Sequence, residues 1–256
     1  MARYVLVHGA FGGAWCWEPV IPALEAAGHT VVAVDLPGGG DDRTPVEKIT
    51  LASCAARVCE ALTEPSILVG YSMGGVVITQ AASDRPENVE QLVFVSAFMP
   101  ANGQSLLDIT RLPEGAGDQI QANIVVSGDP PVAVLSDEAA ALAIYQRCTP
   151  EQQAWAIPQR RDQAVAPFTT PVRVDDELLA RIPRSFVLTL DDNAFTTALQ
   201  RRMIAEHPCV NVVELDSDHA PYLSATDELA DALLSFAGRP AVSSGSLRPP
   251  RRRRGG

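Results

Sequence analysis

Six short runs of apolar and β-branched residues punctuate the chain, at 4–8, 30–35, 66–70, 91–96, 185–190 and 210–215. Each is nearly continuous in hydrophobicity, without in/out alternation, as expected of strands covered on both faces. Between them the apolar period lengthens to that of a helix. Trp17, Ile21, Leu24 and Ala27 recur at helical spacing, as do Leu229, Leu233 and Phe236. Gly28 and Gly238 follow these patterns where helix C-caps belong. Strand–helix alternation of this kind predicts an α/β fold, with a mostly parallel sheet, right-handed crossovers and helices on both faces. Its reactive groups would gather at the carboxyl ends of the strands.

The rhythm fails once. Roughly eighty residues, 100–183, separate the fourth and fifth runs. A structureless loop of that length is improbable in a compact domain. Helical pieces are predicted at 137–147 and 150–159, interrupted around Pro130-Pro131 and Pro167. The segment reads as an inserted cap, so the expected organisation is a core of 1–99 and 184–238 with a cap of 100–183.

Composition narrows the picture. With 256 residues, 46% of them hydrophobic, the chain can bury a sizeable core. No apolar run approaches the ~20 residues of a membrane span. The first strand begins too early to leave room for a signal peptide. Five cysteines without paired spacing fit reduced thiols and a cytoplasmic location, and Cys54 and Cys59 read as small core residues. No Cys/His cluster has metal-ligand spacing. The net charge is −11, but 239–256 carries six arginines and no acid, so the body stands at −17. That balance argues against nucleic acid as a partner. The tail 239–256 has no apolar periodicity and is expected to be a disordered, solvated appendage; a polyanion is its alternative partner. Oligomeric state is open, a homodimer being one option.

The chemistry centres on Gly70-Tyr71-Ser72-Met73-Gly74. An apolar run precedes it and a second, Val76-Val77-Ile78, follows. A strand, a sharp turn and a helix start would hold the Ser72 hydroxyl above the sheet edge, and small neighbours let strand and helix approach. A serine needs a positioned base, and there are four histidines. His219, in a loop after the last strand, stands level with the serine turn. His8 ends the first strand, while His29 and His207 read as turn or helix-end residues. The base in turn needs an acid to orient it. Asp191 and Asp192 both follow the fifth strand, and Asp218 is a rival by proximity. Oxyanion donors would come from the Met73 N–H and the loop His8-Gly9-Ala10-Phe11-Gly12-Gly13. That loop is not a phosphate cradle: G-x-G-x-x-G and the P-loop lysine are absent, and Lys48 is the chain's sole lysine.

These motifs, with Val5-Leu6-Val7, Ala14-Trp15, Asp35-Leu36-Pro37-Gly38 and Gly75, resemble the α/β-hydrolase superfamily, over roughly residues 4–237 and least in the cap. The chain is most similar to the branch of plant methylesterases, hydroxynitrile lyases and their bacterial carboxylesterase relatives. The resemblance implies Ser72, Asp192 and His219 as a catalytic triad, because Phe195 and Gln200 match the segment after the branch's acid. It also implies Ala10 and Met73 as oxyanion donors and no cofactor. The cyanohydrin-cleaving members have a lysine after the histidine and a threonine in the first loop. Ala220 and Ala10 stand here, so lyase activity is set aside. Ser72 in place of an elbow aspartate argues against dehalogenase and epoxide hydrolase chemistry. Phe11, Trp15, Phe98, Trp155, Phe168 and Tyr222, with Met73, Met99 and Leu223, are candidates for an apolar substrate wall. The expected function is a serine carboxylesterase acting on small, partly hydrophobic esters through an acyl-enzyme. Alternatives are a lactonase, thioesterase or C–C hydrolase with the same triad, a tailoring enzyme removing a methyl ester from an aromatic polyketide, or a weakly catalytic small-ligand binding protein.

Overall fold

The six apolar runs form one sheet in the computed structural model, which describes residues 1–237. The strands are β1 (Arg3–Val7), β2 (Thr30–Val34), β3 (Ser66–Tyr71) and β4 (Val89–Val95), followed, after three strands described below, by β8 (Arg184–Thr189) and β9 (Asn211–Leu215). Their order is β2-β1-β3-β4-β8-β9, parallel throughout. The apparent lack of alternation has a simple cause. Val5 and Val7 point into one core while Tyr4 and Leu6 point into the other, and β3 and β4 divide their side chains the same way. Both faces are dry, so both sets are apolar. The edge strands β2 and β9 are only partly covered.

Helices Leu51–Ala61 and Gly74–Asp84 cover one face; Ile21–Ala26 and Thr226–Ala237 cover the other. Tyr4 ties β1 to the last helix by donating its hydroxyl to the Leu233 carbonyl at 2.8 Å. Gly28 takes φ +84° just past the first helix, as a C-capping glycine does. Gly238 and the basic tail 239–256 lie outside the described residues. Among those described, no helix is long and apolar enough to cross a membrane, and the five cysteines are unpaired.

Residues 100–183 connect β4 to β8 and hold more structure than their sequence pattern reveals. A three-stranded antiparallel sheet is formed by β5 (Val125–Ser127), β6 (Val132–Val134) and β7 (Gln163–Ala164). Pro130-Pro131 falls in the β5–β6 connection rather than between helices. The helix predicted over 137–147 ends at Ala143, because the next residues turn so that the Arg147 N–H reaches Asp218 at 2.9 Å. That over 150–159 is an α-helix, Pro150–Ala156, continued by a tighter turn, Ile157–Gln159.

The sheet order creates a topological switch point. From β1 the chain crosses to β2 on one side, and β3 then pairs on the other, so the loops after β1 and β3 leave a crevice at the carboxyl edge.

Candidate active site

Ser72 sits at the apex of the β3–helix turn with φ +53°, a left-handed conformation rare for a side-chain-bearing residue. Close approach makes this turn possible. A Cβ on Gly9 would lie 2.8 Å from the Ser72 Cβ, and one on Gly75 would lie 2.3 Å from the Phe98 carbonyl oxygen. Both obstructions are fixed. We therefore expect Gly75→Ala to destabilise the fold by about 1–3 kcal/mol through overpacking. An unchanged melting temperature would contradict that expectation.

Three side chains from three loops meet at this edge. The His219 Nε2 lies 2.9 Å from the Ser72 Oγ, and its Nδ1 lies 2.8 Å from the Asp192 Oδ2. All three residues are buried. Tyr71 packs against the imidazole, ring centroids 5.1 Å apart.

Asp192 is heavily solvated by protein donors. Its Oδ1 accepts the N–H groups of Ala194 (2.9 Å) and Phe195 (2.7 Å). Its Oδ2 accepts Thr189 Oγ1 (2.6 Å), Gln200 Nε2 (3.2 Å) and the Ser96 hydroxyl besides His219. Burial would raise this carboxyl. The charge and hydrogen bond of His219, with the donors from Phe195 and Ser96, outweigh it and hold Asp192 below the ordinary carboxylate range.

The rival residues stand elsewhere. Asp191 is largely exposed and lies 3.9 Å from Arg147. Asp218 is fully buried but turned away from the ring, accepting from Arg147 N, Ala220 N and Ser224 Oγ. It fastens the His219 loop to the inserted segment. His8 is committed to the backbone: its Nδ1 faces the Gly9 carbonyl at 2.7 Å and its Nε2 accepts the Leu36 N–H at 3.0 Å. Burial lowers its pKa, so the ring is neutral. His29 accepts the Ala2 N–H, and His207 caps the helix Thr197–Glu206.

Ala10 and Met73 line one small cavity with Ser72, about 50 Å³ in volume. Among the described residues no acceptor meets either N–H. Three of the expected wall residues, Phe11, Phe98 and Phe168, line this cavity too. Trp15, Trp155 and Tyr222 do not. Trp15 packs edge-to-face on Trp155 at 5.5 Å and on Tyr222 at 6.2 Å; Trp15 and Tyr222 belong to the core, while Trp155 is exposed. Met99 and Leu223 are buried away from the cavity as well. Apart from Ala194, the rest of the wall comes from the insertion, from Leu106 to Ile124, where periodicity along the chain carries no signal. Larger grooves exist, one of about 520 Å³ beside Arg43 and Arg161, but they are open and, among the described residues, bring no serine or cysteine together with a histidine.

The insertion also pins the loops of the site. Arg161 donates its N–H to Phe11 O (3.0 Å), Gln119 to Asn193 O (2.8 Å) and Arg147 to Asp218. The loops carrying Ala10, Asp192 and His219 are each held by a main-chain donor from it.

A buried serine–histidine–aspartate array at the carboxyl edge of a parallel sheet, with the serine on a strained strand-to-helix turn, is the arrangement of a hydrolase. The chain belongs to the Alpha/beta hydrolase family, matched over residues 4–232. It is 34% identical to the Arabidopsis thaliana protein named "Putative methylesterase 13, chloroplastic", an alignment covering 94% of this chain and 57% of that one. The chain thus spans little more than half the length of that curated relative. Methylesterase 7 of the same plant is 32% identical over 93% of this chain and 96% of its own. In structure, the chain is similar to a pyrethroid hydrolase from Sphingobium faniae JZ-2, with TM-score 0.83 and 28% identity over 93% of this chain and 98% of that one.

Proposed function

We propose that the protein is a serine carboxylesterase acting on small, partly hydrophobic esters, with Ser72 as nucleophile. The observation that carries this reading is the 2.9 Å contact between Ser72 Oγ and His219 Nε2, on a histidine whose other nitrogen meets a buried carboxylate. The esterase names among its relatives support the same reaction class.

Ser72 Oγ attacks the ester carbonyl carbon while His219 Nε2 takes its proton. The carbonyl oxygen gains negative charge and is held by the Ala10 and Met73 N–H groups, at the start of the helix Gly74–Asp84. Collapse of the tetrahedral adduct breaks the carbon–oxygen bond, and the leaving alcohol takes the proton from Nε2. Water then attacks the acyl-enzyme with His219 as base, releasing the acid and restoring Ser72. Asp192 keeps the proton on Nδ1 and stabilises the cation. The segment 100–183 serves as the cap that sets substrate choice. Ala220 follows His219 and, among the described residues, no Lys or Arg lines the cavity to hold a departing cyanide, so lyase chemistry is disfavoured. Unpaired cysteines support a reducing compartment such as the cytoplasm.

The test is a fluorophosphonate probe followed by mass spectrometry. We expect the adduct on Ser72, with labelling sharply reduced in His219→Ala. Labelling absent, or unaffected by removing His219, would refute a base-activated nucleophile and favour a ligand-binding role.

A further inference from the structure

Among the described residues, the cavity beside Ser72 is lined by one charged side chain, for which the proposed reaction has no use. Asp118 is only 8% exposed and lines this cavity with Ser72, Ala10 and Met73. Its Oδ1 caps the short helix Gln119–Asn123, accepting the N–H groups of Ile120 (2.7 Å) and Gln121 (3.0 Å). Its Oδ2 has no donor among the described residues. The surrounding wall is chiefly apolar, with Phe98, Leu106, Ile124 and Phe168, and includes no Lys or Arg among the described residues.

Capping does not require this charge, since asparagine caps as well as aspartate. Among the described residues Asp118 has no ion-pair partner, and the cost of its burial appears in its titration: burial pushes it up to about 6 despite the two backbone donors and the nearby His219. At neutral pH the group is therefore ionised and half-satisfied. Its position is fixed, because the next residue donates its N–H to the Asn193 carbonyl beside Asp192 at 2.8 Å. A ligand presenting a cationic N–H would supply both the missing charge and the missing donor. Charge-assisted bonds of this kind are the strong ones.

We propose that Asp118 selects esters bearing a protonated amine a few atoms from the scissile carbonyl, with the free Oδ2 accepting the N–H. This rests on the esterase reading of the same site and names its substrate class. The small cavity favours a short spacer between amine and carbonyl.

The experiment uses two pairs of isosteric esters at neutral pH, with kcat/KM measured on wild type and Asp118→Asn. The alcohol-side pair is 2-(dimethylamino)ethyl acetate and 3-methylbutyl acetate. The acyl-side pair is methyl 4-(dimethylamino)butanoate and methyl 5-methylhexanoate. Asparagine preserves the cap, so an unchanged melting temperature verifies the fold. Wild type is expected to prefer the cationic ester of at least one pair by about tenfold or more. In Asp118→Asn that preference should disappear, with kcat/KM falling at least about tenfold further for the cationic ester than for its neutral isostere. No preference in wild type, a preference that survives in the variant, or an equal loss on both esters would overturn the proposal while leaving the esterase reading intact. If wild type hydrolyses none of the four, the esterase reading fails. Calorimetric titration with 3-methylbutylammonium chloride then judges Asp118 alone: binding to wild type but not to Asp118→Asn upholds its role, and no difference between them ends it.

Discussion

Replacing Ser72 with alanine is expected to lower kcat for p-nitrophenyl acetate by roughly 10⁴- to 10⁶-fold, the scale on which loss of an activated nucleophile is felt. The size follows from what remains. Ala10 and Met73 would still offer their N–H groups, and the cavity would still orient an ester, but no covalent intermediate could form. His219 could then only assist water, which would have to occupy the space the hydroxyl leaves. Stability should change little, since alanine keeps the same left-handed backbone and, among the described residues, the Ser72 side chain makes one hydrogen bond, to His219. Activity retained within tenfold, with the protein folded, would remove Ser72 from the chemistry and leave the array as a structural network.

The sequence is legible where one residue type has one physical reason to be there. All six sheet strands fall within about two residues of their expected positions, because runs dry on both faces can be little else in an alternating α/β chain. Ser72 is legible for the same reason: only a tight strand-to-helix turn needs Gly70, Gly74 and Gly75 together, and a Cβ on Gly74 would strike the Val7 carbonyl at 2.7 Å. His219 emerges from scarcity and position. What the sequence conceals depends on neighbours distant in the chain. Ser96 and Thr189 donate to Asp192 only because β4 and β8 are adjacent and both end there; a single hydroxyl after an apolar run carries no such message. The β5–β7 sheet is short and its first strand exposed, so it lacks periodicity. Aromatic residues are ambiguous by nature. Trp15 and Tyr222 are as well used packing the insertion onto the sheet as they would be lining a pocket. Asp118 hides as an ordinary helix cap, and only the cavity gives its second oxygen a meaning.

Asp191 and Asp192 are chemically identical neighbours, and the second large effect we expect separates them. Asp192→Asn should reduce kcat by about 10³- to 10⁴-fold, as when a histidine loses the acceptor that fixes its tautomer. An amide cannot satisfy this site in either orientation. With its nitrogen at Oδ2 it faces Thr189 Oγ1, Gln200 Nε2 and the His219 Nδ1–H; with its nitrogen at Oδ1 it faces the N–H groups of Ala194 and Phe195. Donor meets donor in both; the orientation that keeps an oxygen for the Ala194 and Phe195 N–H groups drives His219 to the tautomer that can no longer take a proton at Nε2, and the other leaves those two backbone donors unpaired. Asp191→Asn touches none of this: its carboxylate is 60% exposed and 3.9 Å from Arg147, and activity should stay within about twofold. The acid limb of stability should separate them too. Because Asp192 titrates below its unfolded value of ~3.9, its contribution is complete above about pH 4 and fades as pH falls toward the depressed native value; the asparagine variant lacks that component. The measurements are kcat across pH and melting temperature between about pH 3 and 7. A larger loss from Asp191→Asn, or less than tenfold from Asp192→Asn, would mean that His219 is oriented by something other than the carboxylate 2.8 Å from its Nδ1.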